Sequence, residues 1–166
     1  MTRVFLSLGS NLGDRRYYIE AMVEGLLGIL TPAVAKSRLM ETDPVDTELA
    51  QPRFLNVIMT GGYHSSAHEL LDECQTIENR LGRVRTGRKK SPRTADIDIL
   101  MFGADIISDE RLTVPHPHLL KRRFCIEGLY EIAPGSCIPG LGLTVTKAFE
   151  AMDTGIGEQD IVFLDK

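Results

Sequence analysis

Three observations predict an α+β chain running in the order β-α-β-β-α-β. Short runs of apolar and β-branched residues recur at strand length, two longer stretches carry apolar residues at helical three-four spacing, and turn or capping chemistry separates them. Residues 3–8, with Val4, Phe5, Leu6 and Leu8, read as the first strand. Gly9-Ser10-Asn11-Leu12-Gly13-Asp14 is turn chemistry, and Asp14 is a candidate N-cap. Ile19, Met22, Val23, Leu26, Leu27 and Leu30 form the apolar stripe of a helix that Thr31-Pro32 ends. Residues 33–40 suit a second strand, and residues 41–53 a long loop of the kind that is usually functional.

Residues 54–60 read as a third strand, closed by Gly61-Gly62. Ser66-Ala67-His68-Glu69 has the form of a capping box. The helix it opens turns Leu70, Leu71, Cys74, Ile77 and Leu81 inward and stops at Gly82. Residues 96–102 are the fourth strand. Short strands near 105–107 and 112–114 follow, then helices over 119–132 and 145–152. This is the order of a ferredoxin-like α/β plait with extra strands and helices after the fourth strand. Many functions use that architecture, so it assigns none. Residues 135–166 carry no readable role and suit a C-terminal appendage.

The 166 residues suit one domain, 1–166, and 43% apolar with 25% charged residues excludes a disordered chain. Apolar runs fall far short of the ~20 residues that span a bilayer. The N-terminal apolar stretch is too short for a signal peptide, so the cytoplasm is the expected location. Cys74, Cys125 and Cys137 contain no Cys-x-x-Cys and are expected as buried or partly buried thiols rather than a disulfide or zinc framework. His64 and His68 are expected at the surface.

The net charge of −4 opposes a general nucleic-acid binder. Its distribution says more. Residues 83–93 hold six cations and no acid, which leaves −10 on the rest of the chain and suggests a local anion site. Three residues beyond Arg93 come Asp96 and Asp98. Two apart on a strand, they share a face with Cα atoms about 6.5 Å apart. Their repulsion is roughly 2–3 kcal/mol at an effective dielectric of 20, which a divalent cation turns into attraction. Mg²⁺ commonly takes one or two carboxylates together with substrate phosphates. Ile97, Ile99 and Met101 are expected on the opposite, core-facing side. Arginines for phosphate oxygens beside carboxylates for Mg²⁺ are what phosphoryl-type transfer needs. No Gly-x-x-x-x-Gly-Lys-[Ser/Thr] occurs, which excludes a P-loop enzyme. His116, between two prolines on a stiff segment, is placed to donate to a phosphate or purine.

Gly9-Ser10-Asn11-Leu12-Gly13, Phe54-Leu55-Asn56, Gly82-Arg83-Val84-Arg85, Pro92-Arg93-Thr94-Ala95-Asp96-Ile97-Asp98-Ile99-Leu100 and Leu112-Thr113-Val114-Pro115-His116-Pro117 stand in one order along the chain. Together they resemble the 6-hydroxymethyl-7,8-dihydropterin pyrophosphokinase family of folate synthesis, over residues from about 3 to 134. The resemblance implies pyrophosphate transfer from ATP to a pterin alcohol with release of AMP. It implies that Asp96 and Asp98 hold two Mg²⁺ ions, and that Arg83 and Arg93 grip phosphates with Arg85 assisting. Glu78, Ile99, Arg111, Thr113, His116 and Arg122 would line the nucleotide site. Thr42, Pro44, Val45 and Asn56 would contact the pterin, between the rings of Phe54 and Phe124. The partners it implies are ATP and the pterin, with no nucleic acid and no membrane. The chain is expected to be a monomer, with other folate-pathway enzymes as possible contacts.

The chain departs from the family pattern at Met40, Asp46, Lys90 and Ser91, which bears on how its loops close. Gly9 to Asp14 is left outside the site as a turn and helix cap. Two other classes compete. An RNA-binding module would display stacking aromatics, yet the central strands offer one Phe each and no RNP signature. A regulatory domain that binds nucleotide without turnover would survive loss of Asp96 or Asp98, which the enzyme would not.

Overall fold

A computed structural model describes residues 1–44, 51–83, 92–152 and 160–164. Strand β1 (Thr2–Ser10) leads into helix α1 (Arg15–Leu27), whose first turn is capped by the Asp14 carboxylate accepting from the Tyr17 amide. Strands β2 (Thr31–Lys36) and β3 (Leu39–Thr42) follow, then β4 (Phe54–Tyr63), α2 (Ala67–Arg80) and β5 (Asp96–Phe102). Short strands β6 (Ile107–Ser108) and β7 (Thr113–Val114) pair with each other. Beyond them come α3 (Arg123–Ile132), the paired β8 (Cys137–Ile138) and β9 (Leu143–Thr144), α4 (Val145–Met152) and β10 (Ile161–Leu164).

The main sheet runs β10-β3-β4-β1-β5, with β2 also paired to β4, and every pairing in it is antiparallel. One face buries Val4, Leu6 and Leu8 of β1 against Met22 and Leu26 of α1 and Leu70 and Cys74 of α2. The other buries Phe5, Ile58 and Met101 against Phe124, Ile126 and Leu129 of α3 and Val145 and Ala148 of α4. The chain is therefore a mixed α+β structure with a central sheet between two helical layers.

Several expectations are corrected here. The predicted second strand is two, because Ser37 breaks it: its hydroxyl accepts from the Ile58 amide and donates to the Arg38 carbonyl. Gly61 and Gly62 do not close β4, which continues to Tyr63. A side chain on Gly62 would collide with Thr31 and Met1, and one on Gly61 would press tightly on Leu30 and Val34. Met101 does not share a side with Ile97 and Ile99. The β1–β5 register shifts between Phe5 and Leu6, which turns Met101 toward α3. The helix expected over 119–132 starts at Arg123. Cys74 and Cys125 are buried, and burial pushes the Cys125 thiol up to about 12. Cys137 is exposed, because the short β8 turns Ile138 inward instead. His64 is exposed, and His68 Nε2 lies 2.9 Å from Asp109 Oδ2. The C-terminal segment packs onto the fold, since β10 extends the sheet beyond β3.

The capping box is present in full. Glu69 accepts from the Ser66 amide at 3.0 Å and from the Ser65 and Ser66 hydroxyls, and these bonds, Ser65 foremost, hold its carboxyl at about 2 instead of 4.5. A carboxylate with its folded value depressed stabilises fully above its unfolded value and ceases to do so as pH falls through the folded one. The stability difference between wild type and Glu69→Gln, followed by urea unfolding, should be constant above about pH 4.5 and shrink toward zero near pH 2.

Candidate active site

On the sheet face that carries α3 and α4, the apolar cover ends before the strands do. There the pairing register brings polar side chains into rows. Asp98 lies opposite Ser7 and Ser7 opposite Ile58, while Asp96 lies opposite Gly9, Gly9 opposite Asn56 and Asn56 opposite Met40. Thr42 is the register partner of Phe54. The buried Asn56 amide donates to Thr42 Oγ1 at 2.8 Å, which fixes its orientation. A Cβ built on Gly9 would stand 3.1 Å from Asn56 Oδ1 and within 4.0 Å of Phe54 and Asp96. Gly9 thus leaves the gap between the amide and the carboxylates.

Cations from three elements converge on the two carboxylates. Arg83, released from α2 by Gly82 at φ 76°, pairs with both Asp96 and Glu78. Arg93 Nη1 lies 2.8 Å from the other Asp96 oxygen. Arg122, at the start of α3, reaches Asp98 Oδ2 at 2.8 Å, and His116 Nε2 stands 3.7 Å from that oxygen. Burial alone would raise the Asp98 carboxyl, but His116 and Arg122 outweigh it and hold it below the usual carboxylate range. Burial likewise works against the Arg83 and Arg122 guanidiniums, and the carboxylates raise both regardless. For His116 burial outweighs the attraction of Asp98 and holds it below its ordinary value.

The predicted residues separate into those the fold gathers and those it does not. Arg83, Arg93, Asp96, Asp98, His116 and Arg122 form one ionic cluster, with Thr42, Phe54 and Asn56 beside it across the sheet. Glu78 joins it from beneath rather than as a lining residue. It is 3% exposed and accepts the Ile97 amide at 2.8 Å, so it clamps the strand between the two aspartates while orienting Arg83. Phe124 belongs to the apolar cluster with Met40 and Ile58, at the floor. Ile99 points into the opposite core, so only its main chain borders this face. Arg111 pairs with Asp72 of α2, and Thr113 is exposed on β7. Pro44 ends the described stretch after β3; Val45 and Arg85 lie outside the described residues, as do Asp46, Lys90 and Ser91.

Asn11 is a residue that sequence reasoning missed. It is 1% exposed, donates to the Arg93 carbonyl through its amide and accepts the Arg93 amide on Oδ1 at 2.9 Å. Its Nδ2 donates to Gln51 Oε1 and the Pro52 carbonyl. One side chain thus ties the approach to β5 to the approach to β4. Only its place in the Gly-Ser-Asn turn could have hinted at this.

Among the described residues no group of three or more His, Cys, Asp or Glu could hold a metal alone. Two carboxylate oxygen donors fit Mg²⁺, which completes its shell with phosphates and water. Oxygen donors for a divalent ion, arginines for phosphates and an amide-lined surface for a planar partner define a phosphoryl-type transferase on an α+β sheet. The chain belongs to the 7,8-dihydro-6-hydroxymethylpterin-pyrophosphokinase (HPPK) family, whose model matches residues 5–134. It is 43% identical over 129 residues to the 2-amino-4-hydroxy-6-hydroxymethyldihydropteridine pyrophosphokinase of Bacillus subtilis, covering 77% of this chain and 76% of that one. It is 41% identical over 157 residues to the enzyme of the same name from Methylorubrum extorquens, covering 92% and 95%. The fold matches the solved HPPK-DHPS of Plasmodium falciparum with a TM-score of 0.71 at 14% identity, over 92% of this chain and 44% of that longer one.

Asn11→Ala leaves the Arg93 amide and the Pro52 carbonyl without their partner. It should lower stability by about 1–3 kcal/mol in urea unfolding, whereas Asn11→Asp, which keeps the acceptor for Arg93, should lose less.

Proposed function

We propose that this chain transfers the pyrophosphoryl group of ATP to the hydroxymethyl oxygen of 6-hydroxymethyl-7,8-dihydropterin, a step of folate synthesis. The alcohol oxygen bonds to the β-phosphorus and gives up its proton to water, the bond from that phosphorus to the α-bridging oxygen breaks, and AMP leaves with the electron pair. The observation that carries the reading is the Asp96–Asp98 pair, met by Arg83, Arg93 and Arg122 on the same face as Asn56 and Thr42. The family match agrees with it.

Asp96 and Asp98 would hold Mg²⁺, two ions in the fuller form of the proposal, and the metal would offset phosphate charge at the transferring group. Arg83, Arg93 and Arg122 exchange carboxylate for phosphate partners when nucleotide arrives, which binds and orients it. His116 donates a hydrogen bond to a phosphate oxygen beside Asp98. Arg85, Arg111, Thr113 and the Ile99 main chain complete the proposed nucleotide side, with Glu78 holding Arg83 from beneath it. Asn56, oriented by Thr42, reads the pterin edge, with Pro44 and Val45 beside it and Phe54 and Phe124 bounding the ring.

The order of β1, α1, β2 with β3, β4, α2 and β5, and the β3-β4-β1-β5 pairing, support a ferredoxin-like plait as the core of one 1–166 domain. No helix of the described residues is long and apolar enough to cross a membrane. The cytoplasm is the location proposed. A monomer remains the proposed state. Contact with other folate-pathway enzymes finds support in a relative named folate synthesis bifunctional protein, from Arabidopsis thaliana. Phe5 is 4% exposed in the α3 layer, which takes one of the two aromatics from an RNA-stacking surface.

The test is AMP release with ATP, Mg²⁺ and the pterin. AMP formation should depend on the pterin and fall about a hundredfold or more in Asp98→Asn, the scale of losing several kcal/mol of charge stabilisation. ADP as the product would move the attack to the γ-phosphorus and refute the assignment.

A further inference from the structure

Arg53 stands one residue before β4, where the chain re-enters the sheet. Its guanidinium meets three carboxylates from three places. Asp43 Oδ1, just after β3, lies at 2.9 Å; Glu41 Oε2, on β3, at 3.5 Å; and Asp160 Oδ2, just before β10, at 2.8 Å. The Arg53 carbonyl accepts from Arg15 Nη1 at 2.8 Å, and that nitrogen lies 2.8 Å from Glu41 Oε1. Asp43 and Arg53 flank the excursion that leaves β3 and returns to β4, just outside the register pair Thr42 and Phe54. Their ion pair closes its neck. Strand β10 backs that neck from outside, with Ile161 opposite Thr42 and Val162 opposite Glu41. This part of the chain lies beyond residue 134, where the family match ends.

We propose that Arg53, together with Asp160 and β10, is a positioning device that holds this neck shut and thereby sets how tightly the pterin is bound. The proposal rests on reading Thr42, Phe54 and Asn56 as the pterin site. Without the guanidinium, Glu41, Asp43 and Asp160 lose the cation they share, and Arg15 still meets Glu41. Exposed ion pairs add little to global stability, so the consequence falls on the local spacing of the neck rather than on the fold. Arg53 reads as an ordinary loop cation in sequence; only the return of β10 shows what it holds.

Steady-state kinetics of full-length Arg53→Gln, Arg53→Lys and Asp160→Asn test this. The KM for the pterin should rise about 3- to 5-fold in Asp160→Asn, the scale of one exposed pair, and about tenfold in Arg53→Gln, where three carboxylates lose their cation. The KM for ATP and kcat should stay within about twofold, and Arg53→Lys should recover most of the loss. Raising the salt concentration should raise the pterin KM of the wild type and leave that of Arg53→Gln unmoved, because the device is ionic. Should Arg53→Gln fail to fold, Asp160→Asn decides the matter, since Asp160 is 67% exposed. An unchanged pterin KM, or equal changes in the pterin KM, the ATP KM and kcat, overturns the proposal alone. Absence of pterin-dependent AMP from the wild type overturns the functional reading and this proposal with it.

Discussion

Two carboxylates on one face of one strand must be neutralised, and much of this molecule is arranged around that need. Asp96 and Asp98 repel by roughly 2–3 kcal/mol at a strand spacing of about 6.5 Å. The relief comes from the exit of α2, the approach to β5 and the start of α3, which supply Arg83, Arg93 and Arg122. Arg83 and Arg93 come from the two ends of the α2–β5 connection, and Arg122 from beyond β7. Glu78 completes the arrangement by holding the Ile97 amide between the two aspartates. These contacts hold the carboxylates and the guanidiniums in mutual pairs. In the proposed function, ATP with Mg²⁺ would bring each group the partner it exchanges for.

The sheet supports this cluster because its two halves differ. Under α3 and α4 the face is apolar, with Phe5, Met40, Ile58, Leu100 and Phe124 packed together. Beyond their cover the same face presents Ser7, Gly9, Asn56, Asp96 and Asp98. The register shift in β1–β5 falls at the boundary and turns Met101 onto the apolar side while the aspartates stay on the polar one. A rigid floor ending in a polar shelf is well suited to fixing a planar substrate beside charged phosphates.

Features encoded by near neighbours were legible in the chain. The Asp-x-Asp strand, the Ser66–Glu69 capping box and the two helices before β5 depend on spacing alone. What escaped reading depends on distant partners. Asn11 gains its role from Arg93, Gln51 and Pro52, and Gly9 from Asn56 and Asp96 across the sheet. Ser37 breaks the second strand through the Ile58 amide. Strand β10 is four apolar residues whose pairing partner, β3, lies near the other end of the chain. The site was read mostly through the family resemblance, which marks residue types but not geometry: that Glu78 holds the Ile97 amide and that Arg111 pairs with Asp72 could not be read from it.

The central claim is that protein cations satisfy Asp96 and Asp98 until a nucleotide takes those cations over. Calorimetric titration with Mg²⁺, with and without a non-hydrolysable ATP analogue, tests it most directly. The account predicts weak Mg²⁺ binding to the protein alone and binding at least tenfold tighter, about 1.4 kcal/mol, once the analogue is present. Equally tight binding in both states would show that the carboxylates stand ready for metal without any exchange, and would contradict it.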